Sequence, residues 1–132
     1  MTITIAVREA TTDDALNELF AASWPGHRPR SFAGILERSL LWVTAARRDR
    51  LVGFVNVATD GGIHAIVLDT TVHPDERRNG LGVRLVRAAA VEAKARGARW
   101  LHADYVPHLE TFYARCGFRP TKAGLVDLTK PF

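Results

Sequence analysis

Cysteine is almost absent from this sequence: Cys116 stands alone. A lone cysteine excludes an internal disulfide and any multi-cysteine metal site, and it fits a reducing compartment. No apolar run approaches the roughly 20 residues that a membrane-spanning helix needs. The first residues, MTITIAVREATTDD, alternate and then turn acidic, without the basic start and apolar stretch of a secretory signal. The expectation is a cytoplasmic protein with no membrane partner. Lysine is also scarce, so that the formal charge of +4 is carried almost wholly by arginine. Such a charge suits a polyanion, whether nucleic acid, an acidic lipid surface or a cofactor with several phosphates, but arginine richness also follows from genome base composition. Aromatic residues make up only 8% of the chain and are not interleaved with the basic ones, so there is no stacking platform for a single strand. The five histidines form no metal-ligand spacing, and no metal is expected.

What is present is enough apolar material, 47% of 132 residues, for one sizeable core, and a single domain over 1–132 is the expectation. Thr2 to Val7 alternates like a half-buried strand. Thr11-Thr12-Asp13-Asp14 then offers a threonine cap to a helix bearing Leu16, Leu19 and Phe20. Pro25, Gly26 and Pro29 mark a loop, followed by a short helix with Phe32, Ile35 and Leu36. Three strands in meander order follow, Leu41–Ala46, Leu51–Thr59 and Ile63–Val72, and Pro74 ends the last of them. From Gly80 to Arg96, Leu85, Val86, Ala89 and Ala93 share one face of a long helix closed by Gly97. Trp100 to Ala103 reads as a strand. Pro107 opens a short helix with Leu109, Phe112, Tyr113 and Cys116 on one face and Gly117 at its end, and Leu125 to Leu128 reads as a last strand. This order predicts a mixed α/β sheet.

The stretch VHPDERRNGLG sends a strand end through an arginine-rich turn straight into the long helix. A junction of this kind gathers unpaired backbone N–H groups and the positive end of the helix at one place, where a phosphate can sit. Gly80 and Gly82 allow close approach of an anion, and Arg77 and Arg78 add charge and directed donors. An ordinary strand-to-helix turn explains the same residues equally well. Two familiar phosphate motifs do not fit: Gly82 is followed by Val83-Arg84 rather than Lys and Ser or Thr, and Leu85 stands where a dinucleotide fingerprint needs Gly or Ala.

The same stretch resembles the acetyl-CoA-binding segment of the GNAT N-acetyltransferases, with its pattern of Arg or Gln, two residues, Gly, one residue, Gly or Ala. Arg77, Gly80 and Gly82 match it, Val72-His73-Pro74-Asp75 resembles the family's lead-in, and FYARCGF from Phe112 to Phe118 resembles its late helix ending in Gly-Phe. The resemblance implies a mostly antiparallel sheet with one splayed strand pair. It implies acetyl-CoA as cosubstrate, its pyrophosphate on the loop Arg77, Arg78, Asn79, Gly80, Leu81 and Gly82, and its pantetheine arm along Thr70, Thr71 and Val72. Tyr113 matches the tyrosine that in many members protonates the departing thiolate. By its helical position alone it is equally suited to be a core tyrosine. Val106 stands where the family often has Asn, seven residues before that tyrosine. Asp104 and Asp69 are candidate bases that could instead cap a helix or pair with arginine. Trp24, His27, Phe32 and Glu37 are candidates for the wall of an acceptor pocket, Phe32 and Trp42 being equally suited to the core.

The implied activity is acetyl transfer to a primary amine through a ternary complex. Two alternatives remain open at this level: a module that binds acyl-CoA without turnover, and an acetyltransferase acting on charged tRNA. The assembly state is also open, a homodimer included.

Overall fold

A computed structural model describes residues 2–131. The strands are β1 (Ile3–Val7), β2 (Leu41–Arg47), β3 (Arg50–Thr59), β4 (His64–Val72) and β5 (Trp100–His102). Four α-helices, α1 (Asp13–Ser23), α2 (Ala33–Arg38), α3 (Leu81–Ala95) and α4 (Glu110–Arg115), and two 3₁₀ turns, Pro74–Glu76 and Pro107–Leu109, complete the chain. The sheet runs in the order β1-β2-β3-β4-β5, with every neighbouring pair antiparallel except β4 and β5.

The central strands are buried on both faces, which is why LWVTAAR and RLVGFVNVAT read as nearly continuous apolar runs. Helix α3 covers one face with Leu81, Leu85, Ala89 and Ala93 against Leu41, Val43, Val55, Val57, Ala65 and Val67. Helices α1 and α2 cover the other with a smaller cluster in which Leu16, Leu19, Phe20 and Phe32 meet Trp42 and Phe54. Thr12 caps α1, accepting from the Ala15 amide at 3.1 Å, while Asp13 reaches across to the Phe32 amide at 2.8 Å and ties the second helix to the first.

Strand β4 is different. Ala65 and Val67 are buried, whereas His64, Ile66 and Leu68 are exposed. It pairs with β5 only from His64 to Ile66, and beyond that the two parallel strands diverge. Between the pairs Phe54–Thr71 and Asn56–Leu68, one residue of β3 stands against Asp69 and Thr70 of β4. This is a bulge, and Asp69 takes φ +56° to form it. The splayed pair expected from the resemblance is therefore a local event at the middle of β4.

The last strand expected from the sequence is not formed. Leu125, Val126 and Leu128 are 84%, 64% and 78% exposed, and the described residues after Phe118 form no strand or helix. An apolar triplet becomes a strand only where an edge accepts it. The nearest free edge, β5, is three residues long and flanked by a chain broken by Pro120 and Gly124. Two short 3₁₀ turns beginning at prolines were also hidden behind residues read as strand end and helix start.

Leu85→Ala, a truncation at a fully buried position, is expected to cost about 2–5 kcal/mol. Leu128→Ala should stay within about 0.5 kcal/mol of the parent. Equilibrium urea unfolding of both variants distinguishes a core leucine from one that only looked like strand.

Candidate active site

The divergence of β4 from β5 opens the sheet above its first three paired residues, and the chain then surrounds the gap. After Val72 the 3₁₀ turn Pro74–Glu76 leads to Arg78 at φ +68° and Gly80 at φ +81°, from which α3 begins. The left-handed Gly80 has no side-chain cap, while Asn79 accepts from the Leu81 amide at 3.3 Å. The amides of Gly82 and Val83 are thus the free donors of the first turn, aimed with the helix dipole at the gap. A Cβ on Gly80 would meet nothing within 4 Å, so its requirement is conformational. Gly82 is required for another reason: a Cβ there would lie 2.9 Å from Phe112 Cε1, so α3 and α4 touch through it.

An ion pair between a buried carboxylate and a partly exposed guanidinium braces this loop. Arg47 of β2 donates to Glu76 through Nε at 2.7 Å and Nη2 at 2.9 Å, and Asn79 Nδ2 donates to the same carboxylate at 3.2 Å. The guanidinium's hydrogen bonds hold the Glu76 carboxyl below its usual range, against the opposing effect of desolvation. In front of the loop, Arg77 Nε and Nη2 lie 3.4 and 3.3 Å from the carbonyls of Val72 and Ser23. The Val72 carbonyl, which the Ser23 hydroxyl also approaches at 3.5 Å, thus lies on the groove side of β4.

Two cavities meet here. A groove of about 500 Å³ lies between β4 and the starts of α3 and α4, and every residue of 70–72 and 77–82 except Asn79 lines it. Asn79 instead spends its side chain on Glu76 and Leu81. A broader cavity of about 890 Å³ lies between the end of β4, the β5–α4 connection and the chain after Phe118. Trp24, Thr70, Leu109 and Tyr113 line both. Trp24 closes α1, and its indole Nε1 donates to Thr71 Oγ1 at 3.0 Å.

Tyr113 is 7% exposed. Burial above all holds its phenol above the ordinary value; Thr70 pulls it down, and Cys116, Asp104 and Tyr105 push it up in smaller measure. The Thr70 hydroxyl is buried without a hydrogen-bond partner of good geometry among the described residues, yet it lies near enough to act on the phenol. Asp104 is exposed and borders the broader cavity. Asp69 borders it too, 3.9 Å from Arg30. Val106 also lies there, half exposed.

Of the acceptor-wall candidates only Trp24 reaches a cavity. Phe32 is core, His27 is held by Asn17 Oδ1 at 2.9 Å, and Glu37 points to solvent on α2. Cys116 is buried and its thiol is raised by that burial. Sequence reasoning passed over Glu76, whose role depends on a partner 29 residues away, and Tyr105, which matches no motif.

The model of the Acetyltransferase (GNAT) family matches residues 10–118. The chain belongs to this family. A mycothiol acetyltransferase of Nocardia farcinica is 31% identical over 123 residues, which cover 86% of this chain and 39% of that protein. The chain thus spans well under half the length of that curated relative. Among solved structures, a putative acetyltransferase of Deinococcus radiodurans aligns with TM-score 0.80 at 26% identity, covering 95% of this chain and 87% of the other. A Bacillus subtilis acetyltransferase in complex with coenzyme A aligns with TM-score 0.69 at 25% identity over 89% and 77%. The mixed sheet flanked by helices is the GNAT fold. Acetyl-CoA is the family's acyl donor, and the groove is bordered by the first turn of α3, by Arg77 and Arg78, and by the part of β4 that lies beyond its pairing with β5. No helix among the described residues is long and apolar enough to cross a membrane.

A carboxylate with a lowered folded pKa contributes stability fully above its unfolded value, about 4.3 for glutamate, and loses it as the pH falls through the folded value. Glu76→Gln should therefore be less stable than the parent at pH 7, with the difference closing from about pH 5 downward. Thermal melts across that window check it.

Proposed function

We propose that this chain is an acetyl-CoA-dependent N-acetyltransferase in which the groove between β4 and α3 holds the cosubstrate and the broader cavity receives a primary amine. The observation that supports this most is the meeting of the two cavities at Tyr113 and Thr70. A thioester bound in the groove would be open to the acceptor side at this junction, which Trp24 and Leu109 also border.

The free amides of Gly82 and Val83 and the guanidinium groups of Arg77 and Arg78 would hold the pyrophosphate. To do so Arg77 exchanges its two backbone carbonyls for phosphate oxygens, while Glu76 and Arg47 keep the loop in shape. The carbonyl of Val72 would pair with the amide of the pantetheine arm as a strand partner does. Acetyl-CoA supplies a thioester carbonyl open to a neutral amine and a thiolate that must be protonated on leaving. Main-chain N–H groups at the bulge of β4 would stabilise the oxyanion, and the Tyr113 phenol would donate the proton. A phenol is protonated at neutral pH in any case, and burial shifts this one further in that direction. Asp104, on the acceptor side of the junction, is the candidate to take the proton of the incoming ammonium, directly or through water. Acetylation of a mycothiol precursor is one acceptor chemistry to test first, given the Nocardia relative.

Calorimetry is expected to show saturable binding of acetyl-CoA, weakened about tenfold in Arg77→Ala, a loss of about 1.4 kcal/mol. Equal affinity in the two proteins would take Arg77 out of the site. Tyr113→Phe, which keeps the ring, should bind acetyl-CoA as the parent does while single-turnover transfer to a surrogate amine falls about 10²–10⁴-fold. An unchanged rate would assign the proton to water or another side chain.

A further inference from the structure

The ring of Tyr113 is enclosed by aromatic neighbours of two origins. Phe112 and Phe118 belong to its own helix and the turn after it, and both meet it edge-on, with centroids 4.9 and 5.5 Å away and planes at 86° and 84°. Tyr105 comes from the β5–α4 connection and lies flat against it, at 4.6 Å and 15°. Edge contacts set how far a ring can shift within its plane. A face contact limits rotation out of that plane, and rotation is what would swing the hydroxyl of Tyr113 away from Thr70.

The two tyrosines also stand on different sides of the junction. Tyr113 borders both cavities, whereas Tyr105 borders only the broader one, next to Asp104. Tyr105 is half-buried and Tyr113 buried, so the outer ring covers the inner one from the acceptor side. Without it, cavity water would reach the face of the Tyr113 ring.

We propose that Tyr105 is a positioning residue for acetyl transfer: stacked on Tyr113 from the acceptor side, it fixes the direction of the Tyr113 hydroxyl toward Thr70 and keeps acceptor-side water off the ring. The inference rests on the reading of Tyr113 as proton donor. Tyr105 itself exchanges no proton and touches none of the reacting atoms. What it requires is a flat apolar face, which phenylalanine supplies as well as tyrosine. Burial is the main cause of the raised phenol pKa, and the ring of Tyr105 stacked at 4.6 Å covers one face of Tyr113.

The test combines two measurements on the full chain. Tyrosinate absorbance in an alkaline titration, taken as the difference between each protein and its Tyr113→Phe counterpart, reports the ionisation of Tyr113 without turnover. Single-turnover transfer from acetyl-CoA to a surrogate amine reports the chemical step. In Tyr105→Ala, the Tyr113 titration should move down by about half a pH unit or more as burial is lost. The single-turnover rate should fall about tenfold or more through misalignment, with acetyl-CoA affinity within about twofold of the parent. Tyr105→Phe should restore both, and Tyr105→Leu, which keeps bulk without a flat face, should behave as alanine does and replaces it if the alanine variant does not fold. An unchanged titration and rate in Tyr105→Ala would overturn the inference. So would a Tyr105→Phe protein as slow as the alanine variant, since the effect would then belong to the hydroxyl, or a loss of acetyl-CoA affinity in step with the rate. A wild-type rate in Tyr113→Phe removes the donor reading and the inference with it. A slow Tyr113→Phe beside a fully active Tyr105→Ala leaves the donor reading standing and overturns the inference alone.

Discussion

A backbone amide or carbonyl taken out of a sheet ladder must find another partner or stay in contact with water. Strand β4 parts from β5 after three residues, and that single departure creates the groove, the junction of the two cavities and the exposed main chain at Val72. The bulge at Asp69 and Thr70 adds a residue to β4 where the parting occurs and turns the strand away from its neighbour. A fully paired sheet at this place would gain ladder bonds and lose the cleft. The fold accepts unpaired backbone in one short segment because the rest of β4 is secured by its long pairing with β3 and by α3.

The second requirement is that the loop opposite this open strand hold its shape before anything binds. Two residues with positive φ, Arg78 and Gly80, lie within three positions, a conformation that costs free energy for the arginine. The bidentate Arg47–Glu76 pair and the Asn79 bridge offset that cost from inside the molecule. Little reorganisation is then left for the moment of binding, which favours affinity and alignment together. The loop is thus governed by side chains spent on one another, and β2, two strands away from the gap, contributes to its geometry.

Most of the architecture was legible because it depends on local pattern. The meander shows in the apolar runs of Leu41–Ala46 and Leu51–Thr59, α3 in the spacing of Leu85, Val86, Ala89 and Ala93, and the turn into α3 in Gly80. What could not be read depends on partners distant in sequence. Leu125 to Leu128 has strand composition but no edge to join. Phe32 went to the core because Asp13 anchors its amide and Arg30 lies over its ring, which no local pattern encodes. Gly82 was legible as a glycine of the anion loop, yet its close neighbour is Phe112, thirty residues on. Tyr105 carries no motif, and only the folded chain reveals which ring it faces.

The contact through Gly82 also sets a length. Because α3 and α4 meet there without room for a methyl group, the anion-binding turn and the ring of Tyr113, next to Phe112 in sequence, are held at a fixed separation. The protein in effect carries a ruler, graduated by one steric contact. On the proposed reading, an acyl carrier would be measured by the stretch between its phosphate and its thioester: one too short would leave its carbonyl inside the groove, and one too long would overshoot the phenol, so that a contact touching neither the acyl group nor the amine would bear on the choice of carrier.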